Sequence, residues 1–414
     1  MAFTPGQNTV VSNTSTGNSN YTPALISLAI LYFMMGFITC LNDTLVPFFK
    51  EGFTLSYSES SLVQFYFFLT YGIVSIPAGK LVERIGYKNG MVTGFGIAAF
   101  GALLFFPASV FHQYSVFLAA LFILAIGIVL LQVAANPYIT VLGSPETASS
   151  RLTLIQGIGS IGTTVAPLFG AHFILSRLTE SSSSSDAVSY PYLGIGLFLV
   201  LIAIVLSRLS LPNIQTVKPG ENSEKESGAS IFKFRNLNLG IVALFMYVGA
   251  EVAIGTFLTN YIADTLNISE HVANNYVSFY WGGMLVGRLL GAVILKSIKP
   301  SIVLTLSAIF AASLVLISIN TGGGVAVWTM IAVGLCNSIM FAVIFSLSVN
   351  GLGSYTTKAS GLLSTAIAGG AILSYAQGLV KDSNTWQIAF IIPLLCYLYI
   401  AFYGLNGYKS KFNK

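Results

Sequence analysis

Apolar residues along this chain gather into runs of about 20, the length a helix needs to cross a bilayer. Twelve such runs occur, near residues 23–49, 59–82, 89–109, 114–142, 150–176, 191–211, 237–263, 272–298, 301–319, 325–350, 359–380 and 385–406. They predict an all-α membrane protein of twelve transmembrane helices. Most connections are short. The exceptions are the serine-rich stretch around Ser181–Ser185 and the segment from Pro212 to Arg235, which holds much of the clustered charge. The pattern divides the chain into a polar tail (1–22), a first six-helix bundle (23–211), a linker (212–236), a second six-helix bundle (237–406) and a closing tail (407–414).

The two halves repeat one another. Leu142-Gly143-Ser144 followed by Ser150-Arg151-Leu152 recurs as Leu352-Gly353-Ser354 followed by Ser360-Gly361-Leu362, an offset of 210 in both cases. Gly79 near the end of span 2 has a counterpart in Gly291 of span 8. Parallel repeats of this kind imply two pseudo-symmetric bundles related by an axis along the membrane normal, with a substrate site between them near the midplane.

Composition agrees with the pattern. The chain of 414 residues is 55% hydrophobic and 8% charged, with a mean hydropathy of +0.80. A soluble domain carries about 25% charged residues, so this surface belongs in lipid. Orientation follows from loop charge. The even-numbered loops and the closing tail hold fourteen Lys and Arg, among them Arg84, Lys88, Arg151, Lys233, Lys296 and Lys358, whereas the odd-numbered loops hold Lys50, Arg177 and Lys381. That bias places both termini and the linker in the cytoplasm of a multi-pass inner-membrane protein. Residues 1–20 contain no Lys or Arg ahead of an apolar core, so no cleavable signal is expected. Cys40, Cys336 and Cys396 fall inside apolar runs and read as packing residues. His112, His172 and His271 lack metal-ligand spacing, and no nucleotide-binding loop occurs, so neither an enzyme, a resident cofactor nor a nucleic-acid partner is expected.

Polar groups inside the apolar runs carry the candidate chemistry. Asp43 lies near the end of span 1, where an ionised side chain costs roughly 3 kcal/mol or more. A carboxylate kept there marks a substrate or ion pathway. Gln132 and Asn136 on span 4 are four residues apart and share a face, and Gln156 follows on span 5. Carboxamides donate and accept hydrogen bonds, which suits sugar hydroxyls; each can equally serve as an interhelical hydrogen bond. Span 2 ends Gly79-Lys-Leu-Val-Glu83-Arg84-Ile-Gly86-Tyr-Lys88, which resembles the loop signature of the major facilitator superfamily. It reads as a gating latch: Gly79 for close helix approach, Glu83 and Arg84 for pairing or capping neighbouring helix ends.

Together, Asn42-Asp43-x-Leu45-x-Pro47, Gln132-x-Ala134-Ala135-Asn136-Pro137-Tyr138 and Ser150-Arg151-Leu152 with Gln156 closely resemble the fucose–galactose–glucose symporter family within that superfamily. Tyr247 to Val252 and Tyr280-Trp281-Gly282-Gly283 look like its glucose/galactose branch. The resemblance implies sugar–cation symport, with Asn42 and Asp43 at the site. This chain departs from it in two places. Proton-coupled fucose transporters carry a glutamate where Gln132 stands, and the family's asparagine three residues beyond the span 5 glutamine is replaced by Gly159. The helix 4 proton step cannot be copied unchanged.

Glu251, midway along span 7, can supply what span 4 lacks. It can carry the coupling proton, help hold Na⁺ with Asp43, or bind sugar hydroxyls. Alternatively it pairs structurally with Arg288 of span 8, roughly 15 Å from that span's cytoplasmic end, or that pair is a switch that breaks as the halves rock. Gln64, Asn275 and Asn337 are further candidate ligands, and Tyr280 and Trp281 could stack on a pyranose ring.

The expected function is import of a neutral hexose, glucose or galactose, with H⁺ or Na⁺, by a monomer in a lipid bilayer. The competing readings are an antiporter of drugs or small metabolites on the same fold, a symporter for fucose, mannose or N-acetylglucosamine, and a transporter-like sensor.

Overall fold

The computed structural model describes residues 22–52, 57–170, 173–174, 186–209, 211, 231–268 and 270–409. Residues 1–21 of the first tail and 212–230 of the linker lie outside the described residues. In the N-terminal half the helices are α1 (Thr22–Gly52), α2 (Tyr57–Leu103), α3 (Phe105–Phe111), α4 (Tyr114–Val141), α5 (Ala148–Gly170) and α6 (Asp186–Arg208). In the C-terminal half they are α7 (Arg235–Leu266), α8 (Glu270–Ser297), α9 (Pro300–Asn320), α10 (Gly323–Asn337), α11 (Met340–Val349), α12 (Thr356–Thr365), α13 (Gly369–Ser383), α14 (Trp386–Ala389) and α15 (Ile391–Phe402). Among the described residues, nine helical stretches are long and apolar enough to cross a membrane.

Boundaries differ from the apolar runs for local reasons. Spans 2 and 3 form one helical element, α2, which bends at Gly86 (φ 82°, ψ 165°), a conformation open to glycine. Span 10 is broken between α10 and α11 at Ser338–Ile339. There the Ser338 hydroxyl donates back to the Leu335 carbonyl at 2.6 Å, a local bond that competes with the helix ladder. Span 11 is interrupted by a tight turn at Ala366–Ala368 ahead of Gly369-Gly370.

Burial follows the same logic. From Leu124 to Thr140, α4 is buried on nearly every face, as expected of a helix apolar all round. By contrast α9 exposes Ile302, Leu306, Ile309, Phe310 and Ile317. Exposed apolar surface of that extent is a lipid-facing surface.

The internal repeat has a backbone counterpart. Gly143 (φ 102°) and Gly353 (φ 55°), 210 apart, both take the left-handed conformation, and single-turn helices follow at Pro145–Thr147 and Gly353–Tyr355. Each half then caps its exposed carbonyls differently. Arg151 donates to the carbonyls of Ile139, Thr140 and Ser144 at 3.3, 3.0 and 2.8 Å, closing the end of α4. At the end of α11 the Asn236 amide does the same for Leu347, Ser348 and Asn350. Both satisfy orphan groups of a helix C-terminus.

Contacts between the halves concentrate at the end that holds residues 83–88. Tyr87 pairs with Thr357 at 2.8 Å, Ser149 pairs with Ser346, Ser150 donates to the Ala292 carbonyl at 2.5 Å, and Ser360 donates to the Val133 carbonyl at 3.1 Å. Ser150 and Ser360 are repeat mates, and each bonds into the opposite half. A Cβ on Gly79 would lie 3.3 Å from the Gly361 Cα, so α2 and α12 touch backbone to backbone.

Candidate functional site

Three helices of the N-terminal half converge on Tyr32 of α1. Its hydroxyl donates to the Asn136 Oδ1 of α4. A Cβ on Gly159 of α5 would stand 3.0 Å from the Tyr32 carbonyl oxygen, so α5 lies directly against α1 there. At that crossing a side chain in place of Gly159 would be tight against α1, which would have to give by a few tenths of an ångström. One turn before it stands Gln156. Among the described residues, the buried Gln132 Oε1, Asn136 Nδ2 and Gln156 Oε1 have no hydrogen-bond partner. An orphan polar atom of this kind costs about 1–3 kcal/mol. Two acceptors on Gln132 and Gln156 and one donor on Asn136 are therefore left without partners on α4 and α5.

In the C-terminal half, Glu251 of α7 faces Arg288 of α8, with Oε1 3.9 Å from Nη2 and side chains 15% and 18% exposed. Of the readings open for Glu251, the contact with Arg288 is present in the structure. Tyr247, one turn before Glu251, lies beside the carboxylate. Arg288 also donates from Nε to the Ser338 carbonyl at 3.3 Å, at the break between α10 and α11, and from Nη1 to the Ser160 hydroxyl of α5.

Asn337 sits in a closed chain of hydrogen bonds. Its Nδ2 donates to the Tyr280 hydroxyl at 2.9 Å, its Oδ1 accepts from the Tyr397 hydroxyl at 2.9 Å, and Tyr280 donates to the Glu251 carbonyl at 3.4 Å. The amide of Asn337 is thus occupied at both ends, and the fully buried Tyr280 ring is a clamp between α7, α8 and α10. Trp281 is 48% exposed and packs edge-on to Tyr280, with ring centroids 5.1 Å apart. Asn275 is exposed.

Among the latch residues, Gly79 makes the close approach to Gly361, while Glu83 and Arg84 are exposed and, among the described residues, form no ion pair with another helix. Tyr87, not the charged residues, supplies a cross-half bond from this segment. Lys88 donates to the Ser207 carbonyl at 2.8 Å and ties the bend to the end of α6. The side chains of Asn42, Asp43 and Gln64 lie outside the described residues; the backbone of Asn42 and Asp43 belongs to α1. Among the described residues no cluster of three or more His, Cys, Asp or Glu could hold a metal ion. A separate cavity of about 460 Å³ between α1, α5 and α6 is lined by Phe33, Phe37, Phe169 and Phe198, and has none of these polar groups.

Tyr32, Ser160 and Tyr397 hydrogen-bond to the candidates Asn136, Arg288 and Asn337, and no sequence motif pointed to them. Two of them carried a signal. Tyr32 lies in the same apolar run as Asp43, eleven residues before it, and Ser160 is four residues beyond Gln156 and shares its helix face. Tyr397 has no such neighbour.

A family model of the Major Facilitator Superfamily matches residues 28–375. The chain is 48% identical over 414 residues to a glucose/galactose transporter of Brucella abortus, covering 99% of this chain and 100% of that one. It is 33% identical to the L-fucose-proton symporter of Escherichia coli, covering 90% of each. A crystal structure of a superfamily transporter, FucP, in the outward conformation aligns with a TM-score of 0.84 at 31% identity, covering 94% of this chain and 99% of that one.

Proposed function

Because the chain belongs to the major facilitator superfamily, we propose that it is a cation-coupled symporter importing a neutral hexose, glucose or galactose, by alternating access. The observation that carries this reading is the set of orphaned carboxamide atoms on Gln132, Asn136 and Gln156, which hydroxyl groups of a sugar would satisfy. The names borne by the relatives support the same substrates, glucose and galactose.

The bilayer is crossed twelve times: α2 turns back at Gly86 and counts twice, and α1 and α5 complete the number. The helices form two six-helix bundles joined by the linker, with both termini cytoplasmic and the protein working as a monomer in the inner membrane. Contacts at the end that holds residues 83–88 then close the cytoplasmic side, which leaves the carboxamides addressed from outside. Gly79 forms the gate with Gly361, and Arg84 and Glu83 border it.

The coupling ion is H⁺, as in the fucose–proton relatives. Gln132 cannot take up and release a proton, so the carboxylates of Asp43 and Glu251 carry the coupling. Asn42 joins the sugar ligands. Asn337 and Tyr280 hold Glu251 in place through the hydrogen-bonded chain, while Trp281 and Asn275 stand at the rim of the site.

The test is uptake into proteoliposomes under separately imposed pH and Na⁺ gradients with competing sugars. An inward proton gradient should drive accumulation of glucose and galactose, and an equal Na⁺ gradient should not. Accumulation driven by Na⁺ alone, or by neither, refutes the ion assignment; competition by lipophilic cations rather than hexoses refutes the substrate.

A further inference from the structure

Arg288 stands where the two halves meet, and its guanidinium is divided between them. Its Nε is spent on the Ser338 carbonyl within its own half. Its Nη1 crosses to Ser160 of α5, and its Nη2 is left 3.9 Å from Glu251. A charge-assisted hydrogen bond between guanidinium and carboxylate is about 2.7–2.9 Å long. The pair with Glu251 is therefore stretched while the serine holds the fork.

Ser160 is well set for that task. Its hydroxyl donates to the Gln156 carbonyl at 3.1 Å, which leaves its lone pairs to accept from Arg288. It is buried, so water does not readily replace it. Two turns of contact surround the bond: a Cβ on Gly157 would lie 3.5 Å from the Arg288 Cβ, and Ser150 bonds to Ala292. When α5 and α8 part at that end, the bond to Ser160 is exposed to separation, and the bonds to Ser338 and Glu251, within one half, are not.

We propose that Ser160 is a positioning residue that ties Arg288 to the closed arrangement of the halves, so that separation of α5 from α8 frees Nη1 to join Nη2 on Glu251. The inference rests on the coupling role given to Glu251 above. Among the described residues, the titratable and charged groups facing Glu251 are Tyr247 on its own helix and Arg288 and Tyr280 on α8. The one that can change partner is Arg288. With its fork free, the charged pair is favoured; the O–H bond of the Glu251 carboxyl breaks, and the proton passes to water on the side that has opened.

In a Ser160→Ala protein the fork faces Glu251 in both states, so protonation from outside becomes harder. Proton-driven hexose uptake in proteoliposomes should fall roughly tenfold at a given external pH and recover when that pH is lowered by about one unit. Sugar counterflow, which needs no net proton transfer, should persist, and Ser160→Thr, which keeps the hydroxyl, should restore the wild-type pH profile. A Ser160→Ala profile identical to the wild type, in a wild type that does accumulate sugar, overturns this inference alone. Equal loss of counterflow and uptake at every pH overturns it too, by marking a packing role. A wild type that exchanges sugar but never accumulates it overturns the coupling reading and this inference together.

Discussion

Glu251 and Asp43 are the acidic side chains on which coupling is placed, and their amides separate coupling from binding. Glu251→Gln should preserve exchange of internal for external sugar while abolishing gradient-driven accumulation; Asp43→Asn should lose accumulation as well. Counterflow and net uptake measured on the same vesicles decide it, and an unchanged accumulation ratio for Glu251→Gln makes the Arg288 pair purely structural. Asn337 gives the opposite contrast. Both ends of its amide are bonded to tyrosine hydroxyls, so Asn337→Ala leaves Tyr280 and Tyr397 without their shared partner and should cost about 1–3 kcal/mol of stability. Thermal unfolding in detergent should show that loss, and the apparent sugar affinity should change less than in Gln156→Ala. A larger affinity loss for Asn337→Ala would make it a sugar ligand.

At the scale of elements, the crossing of α2 on α12 depends on two glycines facing each other. Gly79→Leu places a branched side chain where a bare Cβ already stands 3.3 Å from the Gly361 Cα. Backbone cannot yield there as the tip of a flexible side chain can. The substitution should hold the halves apart at that end, raise labelling of a cysteine placed at Thr357 by an impermeant maleimide added from the same side, and reduce uptake at least about tenfold. Unaltered labelling would show that α2 and α12 do not form the gate. The same helices show why a hydrogen bond between the halves at this end is made by Tyr87 with Thr357 and not by Glu83 or Arg84. At the bend made by Gly86, the charged pair projects to the surface and the tyrosine turns inward.

For the whole molecule, binding to the folded state and not to the unfolded chain must raise stability. A hexose at a hundred times its dissociation constant should add about 2.7 kcal/mol. Glucose or galactose should therefore raise the unfolding temperature of the purified protein, and a lipophilic cation should not. Stabilisation by the cation instead would favour a drug antiporter on this fold.

What the sequence determined by itself was whatever depends on short-range order. Long apolar runs dictate membrane helices, because every buried backbone group must be bonded within its own segment. A carboxylate, guanidinium or carboxamide inside such a run is conspicuous without any coordinates, as Glu251, Arg288, Gln132, Asn136 and Gln156 are, and the repeat offset of 210 already pointed to two related halves. Tertiary structure decided the pairings. Which groups stay orphaned, that Asn337 is consumed by Tyr280 and Tyr397, and that Arg288 reaches Ser160 across the interface all depend on residues 57 to 128 positions apart. No periodicity records contacts at that separation. Gly159 shows the division most plainly: in the sequence it is a missing ligand, and in the fold it is the place where α5 lies close against the α1 backbone at Tyr32.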